Sequence, residues 1–439
     1  MSLVRTALSV ETSLAALTRA AQHDLSCACG PSQHRQRGDG GLWIYPAALP
    51  SGQRVPMLKV LQAAGCERSC IYCAERCGGR GQAASLGPDQ LATAFVDLHR
   101  SRRVFGLFLS SAIRGGAVAT MDRMLGTAEL LRKRYAFCGY IHLKMIPGSR
   151  PDQIERAMAL ATRVSVNMEA PTATHLARIA PGKKFEEQIL APMRQVARAI
   201  ERGRFPRAGQ TTQFVVGAAG EADREVMGAA VLGYRDLKLA RVYYSAMQPL
   251  AGTPVAEHAP VPFEREHRLY QVDFLLRSYG FSLDEIHFDE TGALPLHTDP
   301  KTLWAQRHPE RFPVEINQAR LEDLVRIPGI GPRSAKRLQP CADRNVCATS
   351  RQFRWCDAVR DGRLFLDVRG SGEGQAALSR LAVSANRLRV VVGSLPSGAP
   401  RPSHYTVLPT PHWTTGWMYL QSVVPTEVGS RGRKTTTDL

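Results

Sequence analysis

No run of 18 or more apolar residues occurs in this 439-residue chain, so no membrane span is expected. It does not open with a basic segment, an apolar run and a small-residue cleavage site, so secretion is not expected and the cytoplasm is the default location. No internal repeat is visible. Acidic residues are scarce, with 39 Asp and Glu against 57 Lys and Arg, which leaves a net charge of +18. A chain this poor in negative charge favours polyanionic partners, nucleic acid above all, although a basic enzyme from a GC-rich genome shows the same balance. What is present suffices for a sizeable core: hydrophobic residues make up 44%, and the length suits one large domain plus one or two small ones.

Ten cysteines in a large chain without an export signal point to metal binding rather than disulfides. Four of them fall between Cys66 and Cys77, in GCERSCIYCAERCGG. Cys66, Cys70 and Cys73 have the spacing C-x3-C-x2-C, just after an apolar run. Three thiolates on one tight loop can each hold one iron of a [4Fe-4S] cluster and leave the fourth iron open. That corner can chelate the amino and carboxylate groups of S-adenosylmethionine (SAM), and one electron then yields methionine and a 5′-deoxyadenosyl radical. Cys77 could instead complete a structural zinc site, but Tyr72 before the third cysteine and the strand upstream fit the radical enzymes better.

The surrounding texture is α/β. Apolar runs at 55–62, 104–113, 140–146, 163–169, 211–218 and 241–247 alternate with amphipathic helical stretches such as 88–101, 120–135 and 185–203. This alternation predicts parallel βα units, hence a partial or complete β/α (TIM-like) barrel, with a doubly wound open sheet as the other arrangement. Chemistry in a barrel sits at the C-terminal strand ends. That rule selects Ser110 and Ser111 after the second strand, and Asn167 and Glu169 on one face after the fourth. It also selects Gln213 and Gly217 on the fifth, where the glycine would let backbone approach the adenine. His142, Lys144, Tyr243, Tyr244 and Ser245 end other strands. Each could equally be ordinary strand-end polarity, and no acid–base pair can be assigned.

Residues 318–339, QARLEDLVRIPGIGPRSAKRLQ, read as helix, tight turn and basic helix. Leu321, Leu324, Val325 and Ile327 form an apolar face. Gly329 and Gly331 permit close backbone approach, and Arg333, Lys336 and Arg337 add charge. This is the composition of a helix-hairpin-helix that holds a nucleic-acid phosphate without reading sequence. An αα-hairpin used only for packing is the simpler alternative.

With the cysteine motif, the segments SLAALTRAAQHDLSCA, GLFLSSAI, GYIHLKMIPGS, SVNMEAPT, TTQFVVGAAGEADRE, RVYYSAMQPLAGTP, EREHRLYQVDFLLRSYGF, DPKTLWAQRHPERFPVEIN and RIPGIGP make this chain resemble the radical SAM proteins of the DNA modification or repair family. The resemblance covers roughly residues 10–338. It implies cluster ligation by Cys66, Cys70 and Cys73, and DNA binding by the hairpin at Gly329 and Gly331. It also implies an electron donor such as flavodoxin or ferredoxin. It carries no defined reaction or substrate. The stretch AERCGGRGQAAS departs from the NRxSND-like sequence that relatives show after the third cysteine. Two other functions stay open: a DNA-binding protein with a structural or redox-sensing cluster and no turnover, and a radical SAM enzyme acting on tRNA or rRNA.

The domain organisation that follows is a lead-in at 1–53 with a helix near 10–25 and a loop at 30–41, a barrel core at 54–261 and a helical extension at 262–316. The hairpin occupies 317–340, and 341–439 is a tail. Breaker-rich segments such as GSLPSGAPRPS, with only a short helix near 376–388, predict a largely disordered tail. Cys341, Cys347 and Cys356 match no ligand spacing. The second basic hairpin that the family resemblance leads one to expect is missing, and a frameshift would account for so abrupt a stop.

Overall fold

The computed structural model describes residues 8–23, 42–48, 54–79, 84–205, 208–312, 314–315 and 319–336. At 36–37, 364–368 and 388–392 it describes the backbone alone. The chain divides into two compact units, one of Met1–Trp304 with Pro409–Thr415, the other of Ala305–Leu408 with Gly416–Leu439.

The first unit opens with α1, Val10–Ala20, whose N-terminus is capped by the Ser9 hydroxyl accepting from the Thr12 amide; a single tighter turn carries on to His23. Strands β1 (Gln36–Arg37) and β2 (Trp43–Ala48) then form an antiparallel edge, and β2 pairs antiparallel with β3 (Arg54–Leu61). Proline inside WIYPAA hid β2 from a sequence reading, since proline is tolerated only where the ladder does not need its N–H. From β3 onward every pairing is parallel: β4 (Gly106–Ser110), β5 (Tyr140–Lys144), β6 (Arg163–Ser165), β7 (Gly209–Val216) and β8 (Leu239–Ala246) follow in sequential order. All six match apolar runs in the sequence. A strictly sequential order has no reversal point, so the sheet is singly wound, which excludes the doubly wound alternative. β8 does not pair with β3, and the structure is a partial β/α barrel.

Helices α2 (Pro88–Arg100), α3 (Gly116–Glu129), α4 (Pro151–Leu160), α5 (Ala173–Ile179), α6 (Ala191–Glu201) and α7 (Asp223–Asp236) return the chain between strands. The tripeptide Pro-Asp-Gln starts both α2 and α4 and acts identically in each: proline fixes the first helical φ, and the glutamine reaches back to the preceding amide (Gly87 N to Gln90 Oε1 2.8 Å, Arg150 N to Gln153 Oε1 3.0 Å). Alternation along the strands then sorts the side chains. Leu58, Val60, Leu107, Leu109, Ile141, Leu143 and Val164 are buried on the helix-facing side, while Lys59, Phe108, His142 and Arg163 lie in one register row on the other.

α8 (Phe263–Ser278) runs beside β8 and closes its free edge. The amides of Val242, Tyr244 and Ala246, every second residue, donate to Tyr234 Oη (3.0 Å), Tyr270 Oη (3.0 Å) and Glu266 Oε2 (2.7 Å). Beneath them, fully buried Asp273 accepts from the hydroxyls of Tyr234 and Tyr244 and from Arg277 (2.6 and 2.8 Å). After α9 (Pro300–Arg307), the second unit holds β9 (Val314–Glu315), α10 (Leu321–Leu324) and a helical turn at 332–336. Two strands, β10 (Leu364–Val368) and β11 (Leu388–Val392), pair with each other antiparallel, and β11 also pairs with β9. The expectations of a disordered tail, and of a helix near 376–388, otherwise lie outside the described residues.

Candidate functional site: the cysteine loop and the barrel mouth

The cysteine loop leaves the C-terminal end of β3 and is folded onto itself before any ligand is considered. Cys66 N donates to Glu75 O (2.6 Å), Gly65 N to Glu75 Oε2 (2.7 Å) and Cys77 N to Arg68 O (2.7 Å). Cys66 Sγ in turn accepts the amides of Arg68 (3.4 Å) and Ile113 (3.3 Å), contacts that stabilise negative charge on sulfur. Burial pushes the Cys73 thiol up to about 12, and burial likewise raises Cys70. Cys77, by contrast, is exposed. Among the described residues, no three His, Cys, Asp or Glu side chains converge closely enough to share one metal ion. A mononuclear zinc needs its sulfurs on one tetrahedron at about 2.3 Å from the metal. A four-iron cluster asks for wider spacing, because each cysteine binds a different iron. Three buried or half-buried free thiols, one already served by two N–H donors, are a donor set that a [4Fe-4S] cluster could use.

Downstream residues brace this loop. Ile71 N donates to Ile179 O (2.9 Å) and Arg68 Nη1 to Gly182 O (2.7 Å). Lys183 Nζ reaches Glu169 Oε1 at 2.9 Å and Tyr72 Oη at 3.5 Å. The side chains of Lys183 and Glu169 are only 11% and 7% exposed. Burial works to lower the ammonium pKa, but the Glu169 carboxylate and the neighbouring cysteines outweigh it and hold the group above its ordinary value. Tyr72 is raised well above its usual range by burial and by the same carboxylate. Glu169 itself has φ +65°, a left-handed conformation that costs a non-glycine residue roughly 1 kcal/mol or more. Backbone bonds on both sides, Glu169 N to Gln213 O (2.9 Å) and Val215 N to Glu169 O (2.8 Å), hold it there.

The residues expected to line a SAM pocket separate into two groups. Asn167, Glu169 and Gln213 come together at the barrel mouth, where Asn167 Nδ2 donates to Gln213 Oε1 (3.3 Å). Ser110 ends β4 in a buried position, its carbonyl accepting from Gln62 N (2.8 Å), and Ser111 Oγ donates to Ala112 O (2.7 Å). Gly217 has a different task. Its φ is +82°, its amide donates to Glu221, and a Cβ there would lie 2.4 Å from Val261 Cγ2 and 3.1 Å from Arg265 Nη1. A side chain at this position would therefore meet Val261 and Arg265, so packing alone asks for glycine here. Lys183 was missed because PGKKFEE reads as a solvated charged loop. Its one sequence signal is a lysine pair shortly after the helix that follows Glu169.

In the second unit, Leu324, Val325, Ile327, Ile330 and Ala335 are buried together, as the apolar pattern requires. Gly329 is exposed at φ +83°, and Arg333 and Lys336 are exposed on the following turn. Gly331 O accepts from Ala335 N (2.9 Å), which starts the second helix. Arg337 lies outside the described residues.

No protein-family profile matches the chain, and no curated protein matches it. Solved structures do. HydG, a maturase of the [FeFe]-hydrogenase, aligns at 10% identity over 50% of this chain and 49% of its own, with a TM-score of 0.40. Methylornithine synthase (PylB) aligns at 11% over 50% and 61%, with 0.40. The radical S-adenosylmethionine methyltransferase TsrM from Kitasatospora setae, solved with cobalamin and a [4Fe-4S] cluster, aligns at 14% over 45% and 38%, with 0.35. The chain thus spans about half the length of the first two. Likenesses this distant carry no activity across, and function has to be argued from the residues above.

Proposed function

We propose that this protein is a radical SAM enzyme that carries a [4Fe-4S] cluster on Cys66, Cys70 and Cys73 and modifies or repairs DNA. The observation that carries the reading is the cysteine loop itself: three free thiols on one braced loop at the C-terminal end of the first parallel strand of a partial β/α barrel. When bound, the cluster would supply the electron that cleaves SAM to a 5′-deoxyadenosyl radical. The chain's own residues hold, orient and shield. Ser110, Ser111, Asn167, Glu169 and Gln213 surround the mouth with hydrogen-bonding groups. The Glu169–Lys183 pair keeps a compensated charge beside the loop, and the apolar outer face of the sheet keeps the strand ends rigid. DNA is assigned to the hairpin, where exposed Gly329 leaves backbone open to a phosphate and Arg333 and Lys336 supply positive charge.

The test is anaerobic reconstitution followed by iron and sulfide analysis and an assay for 5′-deoxyadenosine. About four irons and four sulfides per chain are expected. Replacing all three cysteines with Ala should abolish both cluster and SAM cleavage. Full zinc occupancy without iron would refute the cluster, and a cluster without 5′-deoxyadenosine would leave a structural or redox-sensing role. Binding to duplex DNA and to tRNA across a salt titration, with and without bulky residues at Gly329 and Gly331, separates DNA from RNA as target.

A further inference from the structure

The first cysteine of the loop is fastened to a turn that is remote in sequence. Ile113, just after β4, meets Cys66 and Glu67 with both of its backbone groups. Its amide donates to Cys66 Sγ (3.3 Å), and its carbonyl accepts Glu67 N (3.0 Å). Sulfur thus stands where a carbonyl oxygen would complete an ordinary backbone pair. The Glu67 carboxylate reaches further along the same turn: Oε1 accepts Gly115 N and Oε2 accepts Gly116 N (3.2 Å). α3 starts at Gly116 and has no side-chain cap of its own, so a carboxylate 48 residues away takes up its leading amides.

The glycines belong to the same fitting. Gly115 and Gly116 have φ +71° and +83°, and a Cβ on either would meet nothing within 4 Å. Packing therefore does not ask for glycine there. The left-handed backbone does, and in that conformation both amides reach Glu67. From the α3 side, fully buried Thr120 accepts Arg114 N (3.0 Å), and its hydroxyl donates to Arg114 O (3.1 Å) or Gly116 O (2.8 Å). The turn at 113–116 is thus held in place by α3, and the cysteine loop is fastened to it through Glu67.

This fastening bears on the sulfur itself. Ile113 N is one of two N–H donors on Cys66 Sγ, with Arg68 N at 3.4 Å. An N–H donor on a cluster's cysteine sulfur stabilises the added electron and raises the reduction potential, whereas negative charge nearby lowers it. Glu67 is exposed, so water screens its charge and can take over the two amides if the carboxylate is removed. The Ile113 amide touches sulfur directly.

We infer that Glu67 is a positioning residue for the cluster site: by fastening the loop to the β4–α3 turn it holds the Ile113 amide on the Cys66 sulfur, and so raises the reduction potential of the bound cluster. This rests on the cluster part of the reading above. Clasp and charge act with opposite signs. Removing the carboxylate's charge alone would move the potential up, while loosening the amide from sulfur moves it down. Glu67→Ala loses both. Glu67→Gln loses the charge and keeps an oxygen for the glycine amides.

The test uses the full chain reconstituted anaerobically with iron and sulfide. It is titrated with dithionite, and the reduced cluster is followed by electron paramagnetic resonance. Glu67→Ala should lower the midpoint by about 59 mV, a tenfold change in a one-electron equilibrium, with an unchanged melting temperature. Glu67→Gln should stay at or above the wild-type midpoint. Thr120→Val loosens the same turn without changing any charge and should also lower it; it carries the test if Glu67→Ala takes up no iron. A midpoint unchanged or raised in Glu67→Ala, or lowered equally in Glu67→Gln, would overturn the inference. So would an unmoved midpoint in Thr120→Val where Glu67→Ala holds no iron. A wild-type chain that takes up no iron overturns the cluster reading and the inference with it; a loaded wild type whose midpoint the variants do not lower overturns the inference alone.

Discussion

Replacing Lys183 with Met removes one half of a buried ion pair and leaves Glu169 without its cation. The pair is close, at 2.9 Å, and both side chains are nearly shielded from water, so solvent cannot take over the lost partner. Breaking such a pair from one side costs about 3–5 kcal/mol, whereas removing both charges together costs much less. Lys183→Met should therefore lower the unfolding free energy by roughly 3 kcal/mol or more, and Lys183→Met with Glu169→Gln should recover a large part of the loss. The same lysine touches Tyr72 between two of the cysteines, so the single variant should also take up less iron on reconstitution. Urea unfolding of the four members of the cycle, with iron measured on each, gives both quantities. A loss under about 1 kcal/mol for Lys183→Met, or simple additivity in the double variant, would mean that the pair is solvated and does not brace the loop.

Three further outcomes follow from other parts of the first unit. Gly217→Ala should cost roughly 2–4 kcal/mol, from the left-handed φ and from the Val261 methyl 2.4 Å from the new Cβ; a melting curve like that of the wild type would refute the packing there. Lys301 is buried over the Tyr279 ring, and burial lowers its pKa to about 7. The unfolded chain then binds more protons between pH 7 and about 10.4, so this residue makes stability rise with pH across that window. Lys301→Met should flatten that rise, as thermal melts at pH 7, 8 and 9 would show. Asp273→Ala strands the hydroxyls of Tyr234 and Tyr244 and the Arg277 guanidinium; a drop of about 3–5 kcal/mol in denaturant unfolding is expected, and a near-neutral effect would show that water replaces the carboxylate.

The parallel strands were legible because strands covered by helices are continuous apolar runs, and the cysteine loop because its three ligands lie within eight residues of chain. β6 shows where legibility stops. Its ladder is three residues long, although the apolar run extends to Glu169, because the Thr212 hydroxyl takes up the Met168 amide and the Val166 carbonyl and pairing with β7 resumes only at Glu169. Gly217 reads in the sequence as a place of close approach, but that Val261 and Arg265 lie beside it follows only from the structure, since a sequence cannot say whose side chain neighbours a glycine. Lys183 was invisible because a buried lysine and a solvated one are spelled alike; only the return of 179–183 across the cysteine loop distinguishes them. The inward cations Lys144 and Arg163 are plain in the sequence, but their adjacency depends on register, which no periodicity fixes.

The row of side chains along β8 has a consequence for how the protein behaves in a crowded solution. An edge strand normally advertises its amides to any passing extended peptide, and that is how sheets recruit partners or run together into aggregates. Here those amides are already spoken for by Tyr234, Tyr270 and Glu266, so an incoming strand would have to evict a buried carboxylate and two phenols before forming its first bond. Tyr270→Phe or Glu266→Ala would reopen the edge one rung at a time. Light scattering at raised temperature should then report self-association well before the barrel as a whole unfolds.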